Sequence, residues 1–147
     1  ALEREHHEFD EEIEVFTAKL ATGAVEPAPL RHAAVALRRH IYLEEAFLFP
    51  PLRDAGLVAP IFVMLREHGQ LWRTLDAIEH DLALQPDVAT LQRLGKELVV
   101  QLQHHNSKEE QIVYPQAGLA LDEEATERLR AFLESGVLPE GWVCERA

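Results

Sequence analysis

The chain has 147 residues, 47% hydrophobic and 27% charged, a mix that one globular domain with a real core can use. Its formal net charge of −12 argues against nucleic acid or an anionic membrane as partner, because both reward a basic face. The single cysteine, Cys144, excludes an internal disulfide and suits a reducing cytosol. A cytoplasmic location is therefore expected, and no apolar run approaches the ~18 residues of a membrane span.

Helical periodicity runs through the chain and no strand pattern competes with it. Leu2, His6, Phe9, Ile13, Phe16 and Leu20 fall at three- and four-residue steps on one stripe, broken by Gly23 and Pro27-Ala28-Pro29. A second helix is expected from about Leu30 to Phe49, with Ala33, Leu37, His40, Glu44 and Phe47 inward, ended or kinked by Pro50-Pro51 and Gly56. A third, from about Leu57 to Leu84, turns Ile61, Leu65, His68, Trp72, Leu75 and Leu82 inward. Asp87 is placed to cap a fourth, which carries Leu91, Leu94, Leu98, Leu102, His105, Glu109 and Ile112 on to Pro115. A short fifth spans Asp122 to Glu134 and stops at Gly136.

Long amphipathic helices joined by short loops predict an all-α fold, an up-down-up-down four-helix bundle built from two αα-hairpin repeats. Residues 1–118 are read as the bundle, and 119–147 as a C-terminal helix and tail packed on it.

The repeat carries the chemistry. His40-Ile41-Tyr42-Leu43-Glu44-Glu45, closed by Pro50, recurs as His105-Asn106-Ser107-Lys108-Glu109-Glu110, closed by Pro115. Upstream of each lies a further histidine in a shared context, Arg4-Glu5-His6 and Arg66-Glu67-His68. A His and a Glu four apart share one helix face. Burying four imidazoles and two carboxylates in an apolar core is costly unless something pairs with them. A dinuclear metal centre does so, with each carboxylate bridging both ions and each ion taking a His pair. Imidazole with carboxylate and no thiolate points to non-haem iron first, with manganese or zinc able to enter the same site. The order His-x-x-x-Glu differs from the Glu-x-x-His of ferritin-like bundles.

These motifs resemble the hemerythrin-like cation-binding, or HHE, family, over about residues 1 to 118. The resemblance implies His6, His40, Glu44, His68, His105 and Glu109 as ligands of two iron ions. It places His6 and His40 on one ion, His68 and His105 on the other, and Glu44 and Glu109 as bridges. His104 is the alternative to His105, since it restores a five-residue spacing to Glu109; His105 is preferred because it matches His40 in its distances to Glu and Pro. Oxygen carriers of the family have a second histidine four residues after the one on the third helix, where this chain has Trp72. That departure argues against reversible O₂ carriage. The expected function is binding of O₂, peroxide or nitric oxide, or sensing of iron, with a small diatomic or peroxide ligand as partner. A di-iron peroxidase or oxidase, or a module in which metal only staples the bundle, are the alternatives.

Other residues read more plainly. His7, His32 and His80 are expected at the surface. Glu45 and Glu110 read first as solvated acids, and second as supports for the ligands or a supplementary ligand. Tyr114 lies nine residues past His105, on the far side of a regular helix unless Pro115 distorts it, and is not read as a ligand. Met64 and Trp72 are expected to wall the pocket or simply pack, and Cys144 to be an idle thiol.

Overall fold

The computed structural model describes residues 1–147. It is all-helical: α1 (Leu2–Ala21), α2 (Pro27–Leu43), α3 (Phe49–Asp54), α4 (Val58–Ala83), α5 (Val88–Lys108), α6 (Tyr114–Ala120) and α7 (Glu123–Ser135). The junctions α2–α3 and α5–α6 are each a five-residue π-helical turn, Glu44–Leu48 and Glu109–Val113, so these pairs form two near-continuous rods. Around the bundle α1 packs on α2 and α5, and α4 packs on α5 and α2, the neighbour pattern of an up-down-up-down bundle.

The boundaries follow from local chemistry. Gly23, at φ 84°, takes the left-handed conformation that turns the chain after α1. Pro27 and Pro29 open α2 rather than only ending α1, because the N–H groups of a helix's first turn have no intrahelical hydrogen bond to lose. Asp87 and Asp122 cap α5 and α7, their carboxylates accepting from the amides of Thr90 and Ala125.

The prolines do not end either rod; the helices pass through them. Pro50 and Pro115 lack an N–H and would clash with a carbonyl one turn back. The π turn immediately before each proline absorbs this: the amides of Phe49 and Tyr114 reach back five residues to the carbonyls of Glu44 and Glu109. The extra residue shifts the helix phase. Ile112, expected inward, is 48% exposed while Val113 is fully buried, and in the other repeat Leu48 is fully buried in place of Phe47.

Two apolar bodies result. The larger runs from Phe9 to Leu20 on α1, Leu30 to Ile41 on α2, Leu71 to Leu82 on α4 and Leu91 to Leu102 on α5. The smaller comprises Leu48, Phe49, Leu52, Ile61, Met64, Leu65 and Val113. The histidines and glutamates of the repeat fall between them in each helix.

The segment after α6 is tied to the bundle. Arg39 donates to the carbonyls of Phe132, Leu133 and Gly136 at the end of α7. Trp142 meets Tyr42 and Trp72 edge-on, and Cys144 joins the larger core. The Arg146 carbonyl fills the space where a Cβ on Gly69 would stand, at 2.3 Å, so the tail seats only because that residue has no side chain.

Candidate metal centre

His6 lies in the second turn of α1, His40 ends α2, His68 is in mid-α4 and His105 is near the end of α5; Glu44 and Glu109 open the two π turns. All six expected residues meet in one layer, and each is at most 3% exposed. His6, His40, Glu44 and Glu109 bring donor atoms within 4.8 Å of one another, as do Glu44, His68, His105 and Glu109. The two carboxylates belong to both groups, which is the arrangement bridging requires.

On the first side, the Nε2 atoms of His6 and His40 are 3.2 Å apart. Glu109 Oε1 is 3.2 Å from the former and Glu44 Oε2 is 3.3 Å from the latter. On the second side, Glu44 Oε1 is 3.0 Å from His68 Nε2, and Glu109 Oε2 is 3.2 Å from His105 Nε2. Glu109 Oε2, though 3.2 Å from His105 Nε2, is buried without a hydrogen bond of good geometry. Orphaned buried acceptors are rare and ask for an explanation, of which a cation is one.

A ring of four outer carboxylates completes the layer. The Nδ1 atoms of His6, His40, His68 and His105 lie 2.9, 2.8, 2.7 and 3.0 Å from Glu110, Glu5, Glu45 and Glu67. An ionised carboxylate only accepts, so each imidazole donates outward from Nδ1. Its Nε2 lone pair is thereby free to face the centre, the second-layer pattern that orients metal-binding histidines. The pattern obeys the repeat. Glu5 and Glu67, each just before the first histidine of a hairpin, hold the second histidine of the same hairpin. Glu45 and Glu110, each just after the inner carboxylate, hold the first histidine of the other hairpin.

The outer ring is itself supported unevenly. Arg39 donates to Glu5 at 3.1 Å, and Lys108 pairs with Glu67. The backbone amide of Glu145 donates to Glu45 at 3.0 Å.

Burial opposes charge throughout this layer, yet close partners overcome it. Burial would lower the imidazoles of His40 and His105, but the Glu44 and Glu5, and the Glu109 and Glu67, carboxylates raise them to about 10. His68 is raised by Glu44 and Glu45 against the same burial. Glu44 is held well below the usual carboxylate range by His40 and His68, and Glu67 sits at about 2 beside His105 and Lys108, burial notwithstanding. Without a metal, protons on His40, His68 and His105 supply positive charge to the carboxylates beside them.

One residue of the centre escapes the spacing rule. Tyr114 directs its hydroxyl into the first side, donating to Glu44 Oε2 at 2.7 Å. Its oxygen is 3.1 Å from Glu109 Oε1 and 2.9 and 3.2 Å from the Nε2 atoms of His6 and His40. Burial and the two carboxylates push the phenol upward, well above its ordinary value. The far-side expectation fails because the π turn brings Tyr114 back by about a quarter turn. Pro115 was the available signal. In the first repeat the same position is Phe49, whose ring stacks on His68 with centroids 5.3 Å apart.

The remaining candidates sort by burial. His105 is buried and His104 exposed; His7, His32 and His80 are exposed. Glu45 and Glu110 are supports for imidazoles rather than merely solvated acids, and Glu5 and Glu67 do the same. The shared Arg-Glu-His context was the trace of the latter pair in the sequence. Trp72 packs on Trp142 and under the Arg38 guanidinium, and Met64 joins the smaller apolar body. Burial, with the Glu45 charge, raises the Cys144 thiol to about 11, so it stays unreactive near neutrality.

A helical bundle with a doubled imidazole–carboxylate layer defines a cation-binding bundle. Residues 1–117 match the family described as the Hemerythrin HHE cation binding domain, and the chain belongs to that family. No curated protein and no solved structure matches it significantly.

Proposed function

We propose that this protein is a non-haem di-iron protein that binds or reacts with small oxidants, peroxide and nitric oxide first. His6 and His40 would hold one ion, His68 and His105 the other, and Glu44 and Glu109 would bridge them. The observation that carries this reading is the layer of converging Nε2 atoms, each imidazole fixed from behind by a carboxylate. Two neutral imidazoles whose Nε2 atoms stand 3.2 Å apart repel unless a cation or a proton lies between them. Imidazole and carboxylate oxygen without thiolate suit iron, and manganese or zinc would fit the same donors.

When bound, a ferrous pair supplies two electrons and open positions for a small ligand. The protein's part is to orient four imidazoles through Glu5, Glu45, Glu67 and Glu110, and to exclude bulk water with the apolar bodies above and below the layer. Trp72, one turn beyond His68, cannot coordinate where the family's oxygen carriers have a histidine. The ion on that side therefore keeps a position for peroxide or nitric oxide, and reversible O₂ carriage is not expected.

Anaerobic purification and ferrous loading, followed by metal analysis, tests the core of this. About two ions per chain are expected, with rapid oxidation by peroxide or in air. A stoichiometry well below one after reconstitution, or stable reversible O₂ binding, would overturn it.

A further inference from the structure

The two sides of the centre are not equivalent. On the first side, four donor atoms form a chain of close neighbours. Glu109 Oε1 to His6 Nε2 is 3.2 Å, His6 Nε2 to His40 Nε2 is 3.2 Å, and His40 Nε2 to Glu44 Oε2 is 3.3 Å. The Tyr114 oxygen is 2.9, 3.2, 2.7 and 3.1 Å from His6, His40, Glu44 and Glu109, near to all four at once.

An octahedron with metal–ligand bonds of about 2.1 Å has edges of about 3.0 Å. Seven separations among these five atoms cluster around that edge. One atom near to all four members of this chain stands where an apical ligand above them would. One hydrogen bond from the phenol to Glu44 does not by itself bring its oxygen to 2.9 and 3.2 Å from two imidazole nitrogens and 3.1 Å from a second carboxylate.

The second side lacks such an apex. Phe49 occupies the position related by the repeat, buried and stacked on His68, and offers no donor.

On the reading that this layer holds two ions, we propose that Tyr114 is a further ligand of the His6–His40 ion. It coordinates as phenolate, the proton it now donates to Glu44 leaving to solvent when the metal enters. That ion is then supplied with five protein donors, two nitrogens and three oxygens. The His68–His105 ion has four, so exogenous anions and small oxidants bind there, beneath Phe49.

The test is spectroscopic and uses the full chain loaded with iron and oxidised to the ferric state. The unmodified protein should show a phenolate-to-ferric charge-transfer band in the visible, with tyrosinate modes enhanced in resonance Raman spectra excited within it. Tyr114→Phe should keep about two ions per chain and lose both signals. Phe49→Tyr should add a second phenolate contribution and weaken azide binding, since the new hydroxyl takes the position azide would fill. Two bound ions without a phenolate signal in the unmodified protein, or a signal that survives Tyr114→Phe, would overturn the tyrosine assignment alone. Azide binding unchanged in Phe49→Tyr, with the second phenolate signal present, would overturn the assignment of the open side. Failure to take up iron would overturn this proposal together with the di-iron reading on which it rests.

Discussion

The two hairpins of the bundle, α1 with α2 and α4 with α5, are alike where they face the centre and unlike where they are held. Each contributes two imidazoles and one shared carboxylate, and each imidazole has its own outer carboxylate at 2.7–3.0 Å. The supports differ. Glu45, which holds His68, is 7% exposed and receives the Glu145 amide, whereas Glu110, which holds His6, is 35% exposed. Chemistry at the centre fixes the inner atoms in pairs, while the surrounding fold is free to diverge.

The largest expected effect removes what the halves share. Glu44→Ala or Glu109→Ala should lose both ions, because each carboxylate presents oxygens to both donor groups. His6→Ala should instead weaken one ion more than the other. Metal analysis after gel filtration distinguishes these, and a Glu variant that retains one tightly bound ion would show that the halves are independent.

A smaller effect should expose the unequal supports. Loss of an outer partner typically costs about 10- to 100-fold in metal affinity. Glu45→Gln is expected to lie at the upper end of that range and Glu110→Gln at the lower, since water can replace a half-exposed carboxylate. Competition with a chelator measures both, and equal losses would remove the asymmetry.

The mildest test concerns a property in which the halves match. His40 and His105 are both raised to about 10 in the fold, against an ordinary value near 6.5. Groups raised on folding stabilise fully below the ordinary value, and that stabilisation fades as pH climbs through the raised one. The metal-free protein should therefore melt at progressively lower temperature from about pH 6.5 to 10. The metal-loaded protein, whose imidazoles are neutral, should not follow it. Thermal melts across that window decide the matter, and a flat metal-free profile would contradict the sign.

Most of this centre was legible in the sequence because helices translate spacing into faces. His6, His40, Glu44, His68, His105 and Glu109 all converge on one layer, and the register that prefers His105 agrees with its burial. What could not be read was the facing of residues within and just after the π turns, since a single extra residue rotates the side chains that follow it in the same rod. Val113 for Ile112, Leu48 for Phe47 and the inward hydroxyl of Tyr114 share that one cause. Partnerships across helices were also hidden. Glu5 with His40 and Glu110 with His6 depend on how the rods are rotated against each other, which no local pattern encodes.

The segment beyond residue 117 bears on where the working unit of this protein ends. Arg39, which steadies Glu5 behind His40, is anchored by three carbonyls between Phe132 and Gly136. Glu45, behind His68, is steadied by the amide of Glu145. A chain trimmed to the span that defines the family would keep every inner donor yet lose a brace on each hairpin. Because His40 and His68 belong to different donor groups, both halves would loosen together. The boundary drawn by sequence kinship thus falls short of the boundary drawn by rigidity.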